Sequence, residues 1–279
     1  MTEALVHIGL HKTGTTAFQQ WATHNAATLL DTCGIRLYQK MFDWNPYELA
    51  LLTLRPGRTT SGMILQPQWP LAEWRRQVTD HCRLQVTEDD STLLISTEAL
   101  SLLRHEDEVE ALRDLLAPRQ IRVAVCLRER NAWLHSYRSE ILRHGENVSD
   151  IRESHAYFGP DTWLVAWDDM LRVWRNVLGD DNVVAFSYED TIARHGSSIP
   201  GVLAALDIAP DSVPSWQGFV TNVSPDHEGP FSPAPQTTID RLASIIRANP
   251  YGWPLQLVEA VLRRIRLRLT SPGAPEPLE

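Results

Sequence analysis

Near the start of the chain, Gly9-Leu10-His11-Lys12-Thr13-Gly14-Thr15-Thr16 leaves a short apolar run and enters a segment with apolar residues at helical spacing. Those residue types in that context suit the binding of a phosphate-like anion. A glycine turn lets backbone N–H groups converge on anionic oxygens, the positive end of the following helix favours negative charge, and the Lys12 ammonium adds a full charge. Thr13 and Gly14 complete the turn, and Thr15 and Thr16 bring hydroxyl donors. Stripped of its context, the same run is an ordinary Gly/Thr strand-to-helix turn.

A second constellation lies further along. An apolar run over residues 121–127 ends at Arg128, and Ser136 falls eight positions later in a segment of helical periodicity that Asn131 is placed to cap. Helical side chains lean back toward the N-terminus, so a strand-end arginine and this hydroxyl can meet on one phosphate. Alternatively Arg128 pairs with Glu129 and Ser136 is a solvated helix residue. Glu98 ends another apolar run, where open parallel sheets place their reacting groups, and is a candidate general base. Its plainer roles are capping the next helix or pairing with Arg128. His11, beside the loop, is a weaker candidate base, because such a histidine more often packs or hydrogen-bonds.

These residues need a scaffold. Short, nearly continuous apolar runs at 5–10, 93–96 and 121–127, with a weaker one at 183–188, predict strands covered on both faces. Helical spacing at 15–30, 107–116, 132–144 and 162–178 supplies the covering layers. The alternation predicts an α/β, three-layer fold of P-loop type with a central, mostly parallel sheet flanked by helices. Residues 34–70 and 210–235 read as irregular acceptor or lid segments, and 270–279 as a frayed tail, in a single domain spanning 1–279. Trp44 and Trp69 in the first irregular stretch could stack on an acceptor, whereas Trp167 and Trp174 share one helix face and read as core.

Bulk properties narrow the partners. A net charge of -9 argues against a nucleic-acid or anionic-membrane surface. Cys33, Cys82 and Cys126 lack disulfide or zinc spacing and suit a reducing compartment. Residues 1–10 lack the basic start and cleavage site of a signal peptide, and no apolar run is long enough to span a bilayer, so a cytoplasmic location is expected.

The loop's lysine precedes its second glycine, which is not the Walker A order. Lys12-Thr13-Gly14-Thr15-Thr16, followed by Ala17-Phe18-Gln19, instead resembles the 5′-phosphosulfate loop of sulfotransferases dependent on 3′-phosphoadenosine-5′-phosphosulfate (PAPS). Arg128 with Ser136 resembles their 3′-phosphate site. Ile95-Ser96-Thr97-Glu98 and Leu178-Gly179-Asp180-Asp181-Asn182-Val183 are similar to patterns of the bacterial branch acting on carbohydrates and secondary metabolites.

The resemblance spans roughly 5–189 and implies sulfuryl transfer from PAPS, without a metal, to a hydroxyl or less often an amine of a small-molecule or carbohydrate acceptor. The product would be 3′,5′-adenosine diphosphate. It implies that Lys12 offsets leaving-group charge and that Glu98 stands where the cytosolic enzymes carry a catalytic histidine. Thr221-Asn222-Val223-Ser224 resembles an Asn-x-Ser segment of that branch, so Asn222 and Ser224 are expected at the nucleotide. Two departures stand out: the eukaryotic C-terminal glycine-rich loop has no counterpart, and Glu129-Arg130-Asn131 replaces the common Asp-Pro after the arginine. The competing readings are an ATP-dependent P-loop kinase and a non-catalytic nucleotide-binding protein.

Overall fold

The computed structural model describes residues 2–41, 45–65 and 68–219. All of these fall in one compact unit, 1–223. The expectations for Trp44, Asn222, Ser224 and the 270–279 tail, and the rest of the single-domain reading, lie outside the described residues.

The chain runs β1 (Glu3–His7), α1 (Thr15–His24), α2 (Ala26–Cys33), β2 (Ile35–Leu37), α3 (Tyr47–Thr53), α4 (Ser61–Leu65), α5 (Ala72–Thr87) and β3 (Thr92–Ser96). A 3-10 turn (Glu98–Leu102) leads to α6 (Glu106–Leu116), β4 (Gln120–Leu127), α7 (Arg130–Arg143), α8 (Trp167–Leu178), β5 (Val183–Ser187), α9 (Tyr188–His195) and α10 (Ile199–Ala205). The five strands form one sheet in the order β2-β3-β1-β4-β5, and every pairing is parallel.

Why the strands read as unbroken apolar runs is visible in their two faces. Ala4, Val6, Leu93, Ile95, Val123 and Val125 enter a core built with α3 and α5 to α8. Leu5, Leu94 and Ala124 enter a second core with Phe18 and Trp21 of α1, Leu29 of α2 and Val202 and Leu203 of α10. A sheet buried on both faces has no polar side to alternate with. The three-layer α/β expectation therefore holds, and the four expected strands form, with boundaries shifted by a few residues. Among the described residues no helix is long and apolar enough to cross a membrane.

Several local expectations are corrected. The helix read over 15–30 breaks at Asn25, whose side chain donates to the Trp21 carbonyl at 2.8 Å and ends α1 while α2 begins at the next residue. The stretch 34–70 is not irregular throughout: it contains β2, α3 and α4, because the apolar Leu49-Ala50-Leu51 packs into the larger core. Trp69 lies half-buried against that core. Asn131 does not cap α7; the Glu129 carboxylate does, accepting from the Asn131 and Ala132 amides at 3.0 and 2.7 Å. Trp167 and Trp174 are core, as expected.

Candidate active site

Because β1 is central and the chain winds outward to β3 on one side and β4 on the other, the carboxyl ends of β1, β3 and β4 open at the switch point of the sheet. The loop after β1 carries Lys12, the end of β3 carries Glu98, and the end of β4 carries Arg128. The sequence separates these groups by dozens of residues; the parallel register brings them to one edge, with Val6 paired to both Ile95 and Val123.

The loop has the backbone that anion binding asks for. Gly9, Lys12 and Gly14 all have positive φ, at 87°, 61° and 83°. For a lysine this left-handed conformation is uncommon and carries strain, which the surroundings must hold in place. They do so through buried contacts. The Thr13 hydroxyl donates to the Leu10 carbonyl at 2.6 Å, and the Trp133 indole donates to the His11 carbonyl at 2.6 Å. Thr13 thus spends its hydroxyl closing the turn. Thr15 begins α1 and is buried, Thr16 is exposed, and no acidic residue occupies the first turn of that helix. The positive helix end is therefore not offset locally.

Gly14 also meets a neighbour that the sequence did not suggest. A Cβ there would collide with the hydroxyl of Ser198, the residue just before α10. Gly9 faces Glu98 in the same way, with a Cβ built on it only 3.0 Å from the Glu98 Cβ.

Arg128 reaches back to the loop. Its guanidinium donates to the Lys12 carbonyl at 3.1 Å and lies over the Tyr188 ring, 5.2 Å from the centroid. Those are its partners in place of the Glu129 or Glu98 pairing weighed from sequence. Ser136 is half-buried one turn before Glu140 on α7, and Glu140 pairs with Lys12 at 3.5 Å. Ser136 thus shares its helix with a residue that touches the loop, although no contact joins it to Arg128 directly.

Glu98 neither caps a helix with its side chain nor pairs with arginine. Gln19 of α1 donates to its Oε2 at 3.0 Å and Asn45 donates to its Oε1 at 2.6 Å. Asn45 is itself fixed by the Thr97 hydroxyl at 3.1 Å, and Gln19 also donates to the Ser96 carbonyl at 3.2 Å. Burial pushes the Glu98 carboxyl above the ordinary carboxylate range; the nearby Glu140 charge adds to this, while the Gln19 and Asn45 amides pull it back. A carboxylate so placed is a stronger base than one in water, and it is aimed by two neutral amides.

His11 is a poorer proton acceptor. Burial first, then the charges of His155, Lys12 and His144, push its imidazole down to about 3, so it stays neutral. Its ring sits 4.9 Å from that of Tyr137, and its Nδ1 is buried without a hydrogen-bond partner among the described residues. Among the residues in contact with the expected groups that sequence reasoning did not assign are Gln19, Asn45, Trp133, Glu140 and Tyr188. Glu140 carried a signal, since it lies one helical turn after Ser136; Asn45 carried none, because only the fold of the preceding segment brings it to β3.

The fold and this edge define a doubly wound α/β protein with a glycine-containing strand–loop–helix at its switch point. The sequence matches no protein-family model and no curated protein. Among solved structures it is similar to a sulfotransferase from Alicyclobacillus acidocaldarius, with 14% identity, coverage of 94% of this chain and 96% of that one, and a TM-score of 0.45. It is also similar to the sulfotransferase domain from the curacin biosynthetic pathway, with 11% identity, coverage of 76% and 77%, and a TM-score of 0.41.

Proposed function

We propose that the protein is a sulfotransferase that moves the sulfuryl group of PAPS to a hydroxyl of a small-molecule or carbohydrate acceptor in the cytoplasm. The observation that carries this reading is the 3.1 Å bond from the Arg128 guanidinium to the Lys12 carbonyl, which gathers two anion-binding groups 116 residues apart at one edge of the sheet. The loop's positive-φ backbone and the uncompensated start of α1 fit a phosphosulfate. Arg128, with Ser136 on the adjoining helix, fits a ribose phosphate.

When bound, the donor supplies an electrophilic sulfur on a phosphate leaving group. The acceptor oxygen bonds to sulfur, the sulfur–oxygen bond to the 5′-phosphate breaks, and 3′,5′-adenosine diphosphate departs. Lys12 opposes the charge that gathers on the departing oxygen. Glu98 takes the acceptor's proton, with its orientation held by Gln19 and Asn45. His11, neutral and half-buried, shapes the loop.

Thermal-shift titration tests the donor. At a hundredfold excess over its dissociation constant a ligand stabilises by about 2.7 kcal/mol. The expected order is 3′,5′-adenosine diphosphate above AMP and above Mg-ATP, and Arg128→Ala abolishes the preference for the 3′-phosphate. Stronger stabilisation by Mg-ATP would favour phosphoryl transfer, and an equal loss of both adenosine nucleotides would deny Arg128 its contact. Mass spectrometry of host small-molecule extract incubated with PAPS then identifies the acceptor. Nucleotide binding without any sulfated product would leave a binding protein and remove the enzyme.

A further inference from the structure

The face of α7 that meets the loop is made of three residues at i, i+4 and i+7. Trp133 donates to the His11 carbonyl, Tyr137 packs on the His11 ring, and the Glu140 carboxylate lies 3.5 Å from the Lys12 ammonium. The first two fix the loop's path, and the third engages the charge that the proposed chemistry sets against the departing oxygen. Lys12 and Glu140 are 14% and 24% exposed, so water and salt screen the pair less than an open surface pair. Lys12 is also held in a left-handed backbone conformation that limits where its side chain can point.

We infer that Glu140 is a positioning residue that competes with the sulfuryl donor for Lys12. This rests on the donor reading above. An ammonium has three donors but is a compact charge, and every share of it taken by an anion in the loop is withdrawn from Glu140. Glu140 therefore weakens donor binding through Lys12, and it holds the ammonium beside the loop instead of leaving it to solvent.

The chain contains two lysines, Lys12 and Lys40, which makes the pair directly readable by amine acetylation and peptide mass spectrometry. A lysine amine held against a carboxylate is less accessible to an acylating reagent, which slows its acetylation. In Glu140→Gln, Lys12 should label severalfold faster than in the parent while Lys40 keeps its rate, and 3′,5′-adenosine diphosphate should slow Lys12 labelling in both proteins. The same variant should bind 3′,5′-adenosine diphosphate about three- to tenfold more tightly, the range of a partly screened ion pair. In a Lys12→Met background, Glu140→Gln should change affinity little.

An unchanged Lys12 labelling rate in Glu140→Gln overturns the inference, whatever the nucleotide does. Equal tightening in the Lys12→Met background also overturns it, since Glu140 would then act on the nucleotide by its field alone. Faster Lys12 labelling in a protein that does not bind 3′,5′-adenosine diphosphate sinks the donor reading, and the competition with it, while leaving the ion pair itself demonstrated. Glu140→Asp guards against a folding artefact: its shorter carboxylate should give intermediate labelling, and labelling outside the range between parent and Glu140→Gln would count against the pair.

Discussion

Glu98 is the side chain on which the proposed chemistry turns, and its environment sets the sign of two effects. Glu98→Gln keeps the shape and removes the base, so turnover should fall by about 10²- to 10⁴-fold while 3′,5′-adenosine diphosphate still binds. Steady-state kinetics beside calorimetry check this, and unchanged turnover removes Glu98 from the mechanism. A base must be deprotonated to act, so turnover rises with pH through the folded-state titration of Glu98, which burial holds above the ordinary carboxylate range. The Asn45 amide favours the charged carboxylate. Asn45→Ala should therefore move the acid limb of the pH–rate profile to higher pH; a limb that stays or moves down contradicts the assigned contact. Glu98, Lys12 and Arg128 could be picked out beforehand because each stands where an apolar run stops. Asn45 could not be assigned, since its role depends on which elements cross the site, and one sequence does not state that; Glu140 was marked only by its place one helical turn after Ser136.

Where β1 meets the turn after β3, a glycine keeps two elements in contact. Gly9 has φ of 87°, and a Cβ there would press on the Glu98 Cβ at 3.0 Å and its Cα at 3.2 Å. Gly34 at the end of α2 also has positive φ, at 65°, but faces open space. The pair separates conformational strain from crowding. Gly34→Ala should cost about 1 kcal/mol and leave turnover intact. Gly9→Ala should cost about 1–3 kcal/mol or more and displace Glu98, so turnover falls further than stability explains. Urea denaturation and kcat, compared between the variants, decide this; equal losses of turnover would mean the contact is immaterial. Helix α5 carries a signal visible in the sequence: Trp74, Val78, Cys82 and Val86 recur every four residues and are all buried. The three-residue β2 offered no comparable pattern, and its pairing with β3 decides its state.

The order of the strands is a property of the assembled chain, because four parallel runs of similar apolar character could be arranged in several ways. Continuous burial correctly foretold covered strands and three layers, yet pairing alone puts β1 between β3 and β4. The segment between β2 and α5 is tied down by a comparable long-range device. The Glu108 carboxylate, fully buried on α6, accepts from the Arg104 amide at 2.7 Å, the Arg55 amide at 3.1 Å and the Arg58 guanidinium at 3.2 Å. Arg58 also donates to the Leu102 carbonyl at 2.8 Å and lies 4.5 Å from the Trp163 ring centroid. Removing the guanidinium strands a buried carboxylate that keeps only amide partners, so Arg58→Met should cost about 3–5 kcal/mol in urea denaturation. Adding Glu108→Gln removes the stranded charge and should recover part of that loss, a coupling that independent sites would not show. Asn45 belongs to the same segment and holds Glu98, so the single variant should also lower turnover. Parent-like stability of Arg58→Met would show that packing, rather than this buried charge network, holds the segment over the site.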